Sequence, residues 1–585
     1  MKTNQRIGLQ SSLTIVAGAI GFVAWGLPGA PVTPAEAKVP PPPQSSRLDS
    51  ALRFRNAAVI AAADERQQCS LPATRPFNRL PFFFDAYVGR RSVRALTSNP
   101  AGRASNVNAL DEVPDSSWFE NRVGVREVSP EEVRRYPRAA GLAAPKRPFV
   151  VVGMKVGGVS PGIRIRDANG VGYLLKFDRP DDPDSETAAD VVLQRLLWMV
   201  GYHTPEDTII HFRRQDLTMD AKAKRKDLQG RSQPMTTADL EGVFAKVGRR
   251  PDGSYRGLLS RLLDGVPVGG YSQEGTRSDD PNDTVPHQER REIRGTRVFF
   301  SWLNQVDVKE DNCLDTWVED ASTPGRGHVR HQLVDFGNAL GVFDWKVDES
   351  VGFANLMDAH YGVHSLVSFG LWKRPWEGRP VSKLRGVGNL DSGRFDPVGW
   401  RPQYPWVPFN RFDRFDGVWG ARILMRVTPA HIEAAVAEAQ YEDPRSAAYV
   451  TQTLLERQRK IGRYYLTETS ALESFSVSEV AGKARVCFDD PVVAHLGAGE
   501  PLLASSTRHY VTTWDFAGRP LPFRAQEAGA ARVCVDGLTA APDANGYTIV
   551  DIATSRAGTP TNRLLLHVAR DPASQALRVV GLRRL

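Results

Sequence analysis

The stretch DVKEDN at residues 307–312, followed by LVDFG at residues 333–337, decides how this chain is interpreted. The first stretch places a lysine two residues after an aspartate and an asparagine five residues after it, and the second places Asp-Phe-Gly after an apolar run. At average residue usage the first pattern arises by chance in roughly one chain of this length in fifteen, and a nearby Asp-Phe-Gly lowers that by about two orders of magnitude. We therefore interpret the two stretches as parts of one site.

In this order and spacing, the two stretches resemble the catalytic loop and the metal-binding turn of protein kinases. From about residue 149 to residue 343 the chain resembles the protein-kinase-like superfamily, and within it the atypical members such as the HipA-like and CotH-like kinases. The resemblance implies an α+β, bilobal protein-kinase-like fold that transfers phosphate from ATP with Mg²⁺.

The resemblance also implies roles for individual residues, because phosphoryl transfer needs position and charge more than covalent chemistry. Asp307 would accept or orient the proton of the attacking hydroxyl, and Lys309 would neutralise charge at the γ-phosphate. Asn312 and Asp335 would hold Mg²⁺, a hard cation that prefers oxygen ligands. Asp311 and Asp315 are alternative metal ligands or, more simply, solvated turn carboxylates.

A lysine and a carboxylate upstream fit the same family. Lys176 ends the apolar run YLLKF and matches the lysine that contacts the α- and β-phosphates. Glu186 lies ten residues further on, in the first turn of a predicted helix, and matches that lysine's carboxylate partner. Asp190, one turn later, is the alternative partner. A lone strand lysine usually faces solvent, so this assignment depends on the downstream motifs.

A small-residue loop precedes Lys176, between the first two predicted strands. Gly157, Gly158, Ser160 and Gly162 offer free backbone amides that can close over phosphates. The loop lacks the GxGxxG pattern, and a tight hairpin also needs glycine, so an ordinary hairpin is the alternative.

The chain departs from the family pattern in several places. Gln305-Val306 stands where protein kinases have His-Arg, and no Ala-Pro-Glu follows the Asp-Phe-Gly. The geometry of a peptide substrate therefore cannot be carried over. His287, Arg290 and Arg291 either contact a phosphate or an acidic acceptor or are exposed helix charges, and exposed charges are the simpler interpretation.

Periodicity predicts the secondary structure around these motifs. Apolar and alternating runs at 149–154, 163–166 and 172–177 predict an antiparallel meander, and a strand follows at 209–212. A helix capped by Asp184 or Ser185 would end at Gly201. Further helices are predicted at 288–303, 416–425, 429–440 and 445–465, with polar loops and one or two helices between 213 and 290.

The predicted domains follow from these patterns and from the ends of the chain. Residues 149–214 form the first lobe, 215–466 a helical second lobe, and 475–585, with short alternating runs, a C-terminal antiparallel β-sandwich domain. Residues 48–148 form an extension without assignable chemistry, and it includes a short helical pattern at 51–64. Residues 38–47 are a proline-rich linker.

The first residues predict export. Lys2 and Arg6 precede an apolar stretch at 13–27, and Ala35-Glu36-Ala37 has the form of a signal peptidase site, so residues 1–37 are interpreted as a signal peptide. The apolar stretch is shorter than a membrane span, and an uncleaved anchor is the minority interpretation. The protein is expected to be periplasmic or extracellular, with membrane contact only through an uncleaved signal.

Charge and cysteine content limit the remaining function classes. The net charge is +8, with both signs mixed along the chain, and the densest basic run, at 222–226, has no interleaved aromatics. That run predicts a solvated loop, and we expect no nucleic-acid partner. ARVCFD at 484–489 recurs as ARVCVD at 531–536. The repeat predicts either a disulfide between Cys487 and Cys534 on neighbouring strands or two separately buried thiols.

The leading hypothesis is an exported Mg-ATP-dependent kinase that phosphorylates a hydroxyl on a protein, or less favourably on a small molecule. One alternative is an envelope binding or scaffold protein with an inactive kinase-like module, since fold alone does not prove catalysis. The other is transfer of a nucleotide by the same residues from an inverted ATP pose.

Overall fold

Seven strands form one mixed sheet in the first half of the chain. The structure is a computed structural model that describes residues 67–90, 102–135, 144–155, 160–227, 230–342, 350–378, 382–542 and 545–585. The strands are β1 (Phe149–Met154), β2 (Gly162–Arg166), β3 (Gly172–Lys176), β4 (Asp207–Phe212), β5 (Leu217–Lys226), β6 (Ser232–Pro234) and β7 (Tyr255–Arg261). Their order is β4-β7-β3-β2-β1-β5-β6, with β1 and β5 parallel and the other neighbours antiparallel. The predicted meander is confirmed as β1 to β3.

The helices cover every helical segment that the sequence predicted within the described residues. They are α1 (Arg79–Phe84), α2 (Pro130–Arg135), α3 (Glu186–Met199), α4 (Thr237–Phe244), α5 (Arg291–Leu303), α6 (Ala359–Val367), α7 (Val407–Asn410), α8 (Arg414–Met425), α9 (Pro429–Ala437), α10 (Pro444–Glu468), α11 (Pro491–Leu496) and α12 (Pro501–Ser505). The pattern at 51–64, the signal peptide and the linker lie outside the described residues.

Strands extend further along the chain than the sequence indicated. The basic run at 222–226 lies in β5, paired with β1 and β6, so the prediction of a solvated loop there is wrong. Its lysines and arginine are mostly on the exposed or half-buried positions of the strand, where charge does not prevent pairing. Because β7 joins β3 and β4, the sheet continues past residue 214, where the sequence placed the end of the first lobe.

The start of helix α3, which follows β3 in the chain, differs from the prediction. Ser185 occupies the cap position but makes no side-chain cap hydrogen bond. The carboxylate of Asp178, two residues after β3, instead accepts from the amides of Asp184 and Thr187. The helix ends before Gly201, whose φ of 126° suits glycine, and a Cβ there would come within 2.3 Å of the Phe119 ring.

A second, three-stranded sheet carries the two motifs that opened the sequence. It consists of β8 (Val266–Gly269), β9 (Cys313–Glu319) and β10 (Gly327–Leu333) in the order β10-β9-β8. Strands β9 and β10 form a hairpin in which Cys313 faces Leu333. The residues before β9 and after β10 therefore meet at one end of the hairpin, which explains the long separation between the two motifs.

Two separate hydrophobic cores support the predicted bilobal arrangement. One core lies within the seven-stranded sheet and includes Phe149, Leu175 and Phe244. The other joins α3, α5 and the helices after residue 406, and contains the fully buried Trp302. The extension before β1 packs into this second core through Trp118 and Phe119. The α+β bilobal class is thereby confirmed.

The C-terminal part is the predicted antiparallel β sandwich. One sheet has the order β11 (Glu473–Val480), β12 (Lys483–Asp489), β15 (Arg532–Leu538), and the other has the order β14 (Pro520–Ala528), β13 (Arg508–Asp515), β16 (Thr548–Ser555), β17 (Asn562–Arg570), β18 (Leu577–Arg584). Both sheets contribute to one core, which includes Phe488 and Ile552.

Of the two alternatives for the C-terminal repeat, the structure shows the disulfide. Cys487 and Cys534 face each other on β12 and β15 and are bonded, across a sequence separation of 47 residues. In the chain-entropy model, a cross-link over a loop of that length stabilises the folded chain by about 4 kcal/mol. Cys69 and Cys313 are buried free thiols.

The predicted domain boundaries stay a prediction, because residues 42–585 belong to one compact unit. Among the described helices, none has the length and apolarity needed to cross a bilayer.

Candidate active site

The hairpin of β9 and β10 places the two motifs side by side. The amide of Val334 donates to the carbonyl oxygen of Asn312 at 3.0 Å, and the amide of Val306 donates to the carbonyl oxygen of Asn338 at 3.4 Å. These two bonds bracket Asp307 and Asp335 on both sides. The structure thus brings together the residues that the sequence separated by a long loop.

Lys176 joins the sheet to the Asp-Phe-Gly turn. Its Nζ lies 2.7 Å from Oδ1 of Asp335 and 3.1 Å from Oδ2 of Asp190. The other oxygen of Asp190 accepts from the amide of Phe336 at 2.6 Å. Asp190 is buried, whereas the side chain of Asp335 is 48% exposed. The buried carboxylate of Asp190 therefore fixes the turn, and the half-exposed carboxylate of Asp335 remains open to solvent.

Lys176, Asp190 and Asp335 form a charged triad in which Lys176 affects the pKa of both carboxyl groups. The ammonium group of Lys176 holds the pKa of Asp335 below its usual range. Burial lowers the pKa of Lys176, but the carboxylates of Asp190 and Asp335 outweigh burial and raise it. Both groups are therefore charged at neutral pH, as binding of a metal–phosphate complex requires. Asp335 also has a φ of 62°, an uncommon conformation for a residue other than glycine, which orients its carboxylate.

A further carboxyl group lies behind the triad. Burial, and then the charge of Asp190, raises the pKa of Asp207 to about 7. Asp207 begins β4 and is buried, and it lies two residues before the strand that was predicted at 209–212.

Glu186, the predicted partner of Lys176, lies close to the turn. It accepts a hydrogen bond from the hydroxyl of Ser160, and a Cβ on Gly337 would lie 3.5 Å from its Cβ. The ion pair of Lys176 within α3 is with Asp190, the alternative that the sequence left open. Glu186 therefore connects the small-residue loop to the Asp-Phe-Gly turn.

This arrangement predicts unequal effects of the two α3 carboxylates. We expect Asp190→Asn to lower kcat/KM for ATP by about 10- to 100-fold, because it removes the buried negative charge that pairs with Lys176. We expect Glu186→Gln, which can still accept from Ser160, to lower it by less than about 3-fold. Steady-state kinetics with varied ATP measures both. A larger loss for Glu186→Gln than for Asp190→Asn would show that Glu186, and not Asp190, is the carboxylate that supports Lys176 during the reaction.

Asp307 is held in one orientation by neighbouring side chains. Nζ of Lys309 donates to both carboxylate oxygens, at 2.8 and 2.6 Å, and Nδ2 of Asn338 donates to Oδ2 at 3.2 Å. Asp307 is 5% exposed. Lys309 therefore contacts the predicted base directly in this structure. Asn338 was missed by the sequence analysis, although its place directly after Asp-Phe-Gly is a usable signal.

Asn312 and Asp335 fit a small set of metal ligands. Nδ2 of Asn312 donates to the carbonyl oxygen of Asp307 at 2.8 Å, which leaves the amide oxygen to accept from another group or bind a cation. No cluster of three or more His, Cys, Asp or Glu side chains in the described residues could hold a metal alone. A site of one amide oxygen and one carboxylate suits Mg²⁺, which takes its remaining ligands from phosphate and water.

The structure separates the two alternative metal ligands. Asp315 is fully buried on β9, where it accepts from Nδ1 of His331 at 2.7 Å. Asp311 lies within the stretch 307–312, and burial raises the pKa of its carboxyl. Asp315 is thus paired with a buried histidine, whereas Asp311 lies close enough to Asp307 and Asp335 for their charges to affect its pKa.

The small-residue loop is described in part. Gly157 and Gly158 lie outside the described residues, whereas Ser160 bonds Glu186 and Gly162 begins β2. Lys155, which the sequence analysis missed, lies at the start of this loop, directly after β1. Its Nζ donates to the carbonyl oxygen of Ser160 at 3.3 Å, and a Cβ on Gly162 would meet its Cδ at 3.0 Å.

Lys155 adds a second lysine on the sheet side of the site. Burial, and then the charge of Lys176, lowers the pKa of Lys155. The charge of Lys155 in turn helps to lower the pKa of Asp335. A lysine between an apolar strand and a glycine-rich loop was the signal available in the sequence.

The basic residues before α5 are not exposed, so that prediction is wrong. His287, Arg290 and Arg291 are each 3% exposed or less. Arg291 bonds Asp111 at 2.7 Å and His287 bonds Asp283 at 2.8 Å. These side chains pair with carboxylates, Asp111 from a distant part of the chain and Asp283 from the preceding turn, which makes burial possible.

Comparison with known proteins gives little further information. No family model matches the chain, and no curated protein matches it. Two solved structures are similar over 73% of the chain: a Golgi casein kinase with Mn/ADP bound and another structure of the Golgi casein kinase, covering 93% and 96% of those chains. Both have 11% identity and a TM-score of 0.27. These values are too low to support a conclusion about this chain.

Proposed function

We propose that this protein is an exported, Mg-ATP-dependent phosphotransferase that phosphorylates a hydroxyl group on a protein, or less favourably on a small molecule. The observation that carries the proposal is the contact of Lys176 with both Asp190 and Asp335, beside an Asp307 that is fixed by Lys309 and Asn338. A lysine for phosphate, an open ionised carboxylate for a cation and a buried, oriented carboxylate are the three elements that phosphoryl transfer requires.

The chemistry assigned to each residue follows from its position. Lys176 binds the α- and β-phosphates, and Asn312 and Asp335 hold the cation, which neutralises charge on the phosphates when bound. Asp307 orients the acceptor hydroxyl and receives its proton as the new bond from that oxygen to the γ-phosphorus forms. The bond between the γ-phosphorus and its bridging oxygen breaks, and ADP leaves with the electron pair. Lys309, bonded to both oxygens of Asp307, holds that carboxylate in one orientation until the acceptor arrives.

The test uses the chain without residues 1–37, Mg²⁺, and ATP labelled in the γ or, separately, the α position. A mixture of serine, threonine and tyrosine peptides serves as acceptor, and the protein itself is also analysed. We expect γ-label on peptide or protein and no α-label. Incorporation of α-label would replace the proposal with nucleotide transfer. ATP binding without transfer of either label to peptide, protein or water would favour the scaffold interpretation.

A further inference from the structure

A second cavity lies on the helical part of the chain, and none of the proposed phosphotransfer residues lines it. Its volume is about 730 Å³, within the range of small-molecule sites. Its walls include residues of α5, α7, α10 and the segment from Val398 to Arg414. Aromatic side chains form much of the lining: Trp406, Phe409, Phe412, Tyr464 and Tyr465.

Two arginines in this lining share the same anchor. Nη2 of Arg297 donates to the carbonyl oxygens of Val398 and Trp400 at 2.9 and 3.2 Å. Nη1 of Arg401 donates to the same two oxygens, each at 3.0 Å. The shared carbonyls hold the two guanidinium groups next to each other. Arg414 adds a third guanidinium to the lining.

This pair has no carboxylate in ion-pair contact. In the part of the chain that the structure describes, neither Arg297 nor Arg401 forms an ion pair, in contrast to Arg291 and Arg294, which lie in the same helix as Arg297. Burial lowers the pKa of Arg297, and the charge of Arg401 adds to that effect, while Tyr465 and the charge of Asp396 oppose it. An anion between the two groups would remove this repulsion.

The two carboxylates that line the cavity leave the arginine pair open. Asp413 is occupied as the cap of α8, where it accepts from the amides of Phe415 and Asp416 at 2.8 and 3.0 Å. Glu468, the last residue of α10, is the other carboxylate in the lining. The lining thus has three cations against two carboxylates, one of which is already bonded.

We infer that this cavity binds a small anion that carries a phosphate or carboxylate group on a planar ring. The paired guanidinium groups supply charge-assisted hydrogen bonds to the anionic group. The aromatic walls supply stacking surface for the ring. The site is separate from the phosphotransfer site, and its existence does not depend on the proposed function.

The cavity is connected to the proposed base by a short path. The segment that carries Arg401 continues to Gln403, whose amide donates to the carbonyl oxygen of Val306 at 2.8 Å. Val306 directly precedes Asp307. One backbone hydrogen bond therefore links the segment that lines the cavity to the residue before Asp307.

Isothermal titration calorimetry of the full chain with three probes tests the inference. Phenyl phosphate and benzoate carry the two anionic groups, and phenol is the neutral control. We expect at least one anion to bind ten times more tightly than phenol, and the tighter one identifies the preferred group. We expect Arg401→Gln to weaken that binding about 10-fold, because it removes a charge-assisted bond. Arg459→Gln, an exposed arginine of α10 outside the cavity, is the matched control and should leave binding unchanged.

The variant Lys176→Met distinguishes binding in this cavity from binding in the phosphotransfer site. Lys176→Met should bind the preferred anion as the unaltered chain does, and loss of binding in that variant would move the ligand to the phosphotransfer site and overturn the inference. Equal binding of phenol and both anions, no binding of any probe, or unchanged binding in Arg401→Gln would also overturn it. These outcomes are independent of whether the protein transfers phosphate.

Discussion

Replacing Asp335 with asparagine is expected to lower γ-phosphate transfer by about 10³-fold, equivalent to about 4 kcal/mol of transition-state stabilisation. The carboxylate is the open member of the Lys176 triad, and its pKa is held low, so it presents a full negative charge to a cation at neutral pH. An amide in its place keeps the shape but loses that charge. Single-turnover transfer of γ-label, at saturating ATP and Mg²⁺, measures the effect.

The matched control for this variant is Asp311→Asn. Asp311 is the nearby carboxylate that the sequence left open as an alternative metal ligand, so removing its charge tests whether any acid in this region suffices. We expect a change of less than about 3-fold. The free energy of unfolding of Asp335→Asn should change by less than about 1 kcal/mol, because its ion pair is half exposed. Retention of more than a tenth of the activity in Asp335→Asn, or a larger loss in Asp311→Asn, would contradict the metal assignment.

The candidate site could be predicted from the sequence where spacing alone defines it. The positions of Asp307, Asn312 and Asp335 are fixed by a local motif and by a hairpin that returns the chain to its start. Lys176 could be found because it ends an apolar strand at the expected distance from α3. The sequence favoured Glu186 over Asp190 as the partner of Lys176, whereas the structure pairs Lys176 with Asp190; residues four apart lie on the same helix face, so spacing does not separate them. Only the packing of α3 against the Asp-Phe-Gly turn decides between them.

The parts of the fold that were missed have a common physical reason. Strand β5 carries four lysines and arginines in its last five residues, and such a run normally indicates a solvated loop. Pairing with β1 on one side and β6 on the other satisfies its backbone and leaves the charges outside. His287, Arg290 and Arg291 were expected to be exposed for the same reason. Asp111 and Asp416, the partners of Arg291, are far away in sequence, so no local pattern could reveal them. His287 and Arg290 pair with the nearby Asp283, whose spacing alone does not show that the cluster is buried.

Replacing Asp307 with asparagine is expected to lower kcat by about 10³-fold while the affinity for ATP changes by less than about 2-fold. Asp307 is buried and contacts Lys309 and Asn338, whereas the ion pairs of Lys176 are with Asp190 and Asp335. The variant should therefore bind nucleotide through an intact triad and fail only at the step that moves the acceptor's proton. Rapid-quench transfer of γ-label gives the rate, and equilibrium binding of a fluorescent ATP analogue gives the affinity.

The separation of rate from affinity distinguishes an acceptor-orienting carboxylate from a structural one. Asn338→Asp is the companion variant, because it removes the amide donor to Asp307 and places a second carboxylate beside it. Repulsion between the two carboxylates raises the pKa of the pair, so the rate should fall as the pH is lowered and recover at higher pH. Asp307→Asn has no carboxylate to titrate, and its low rate should not recover. An equal loss of ATP affinity and rate in Asp307→Asn would mean that this residue supports the nucleotide site and does not orient the acceptor hydroxyl.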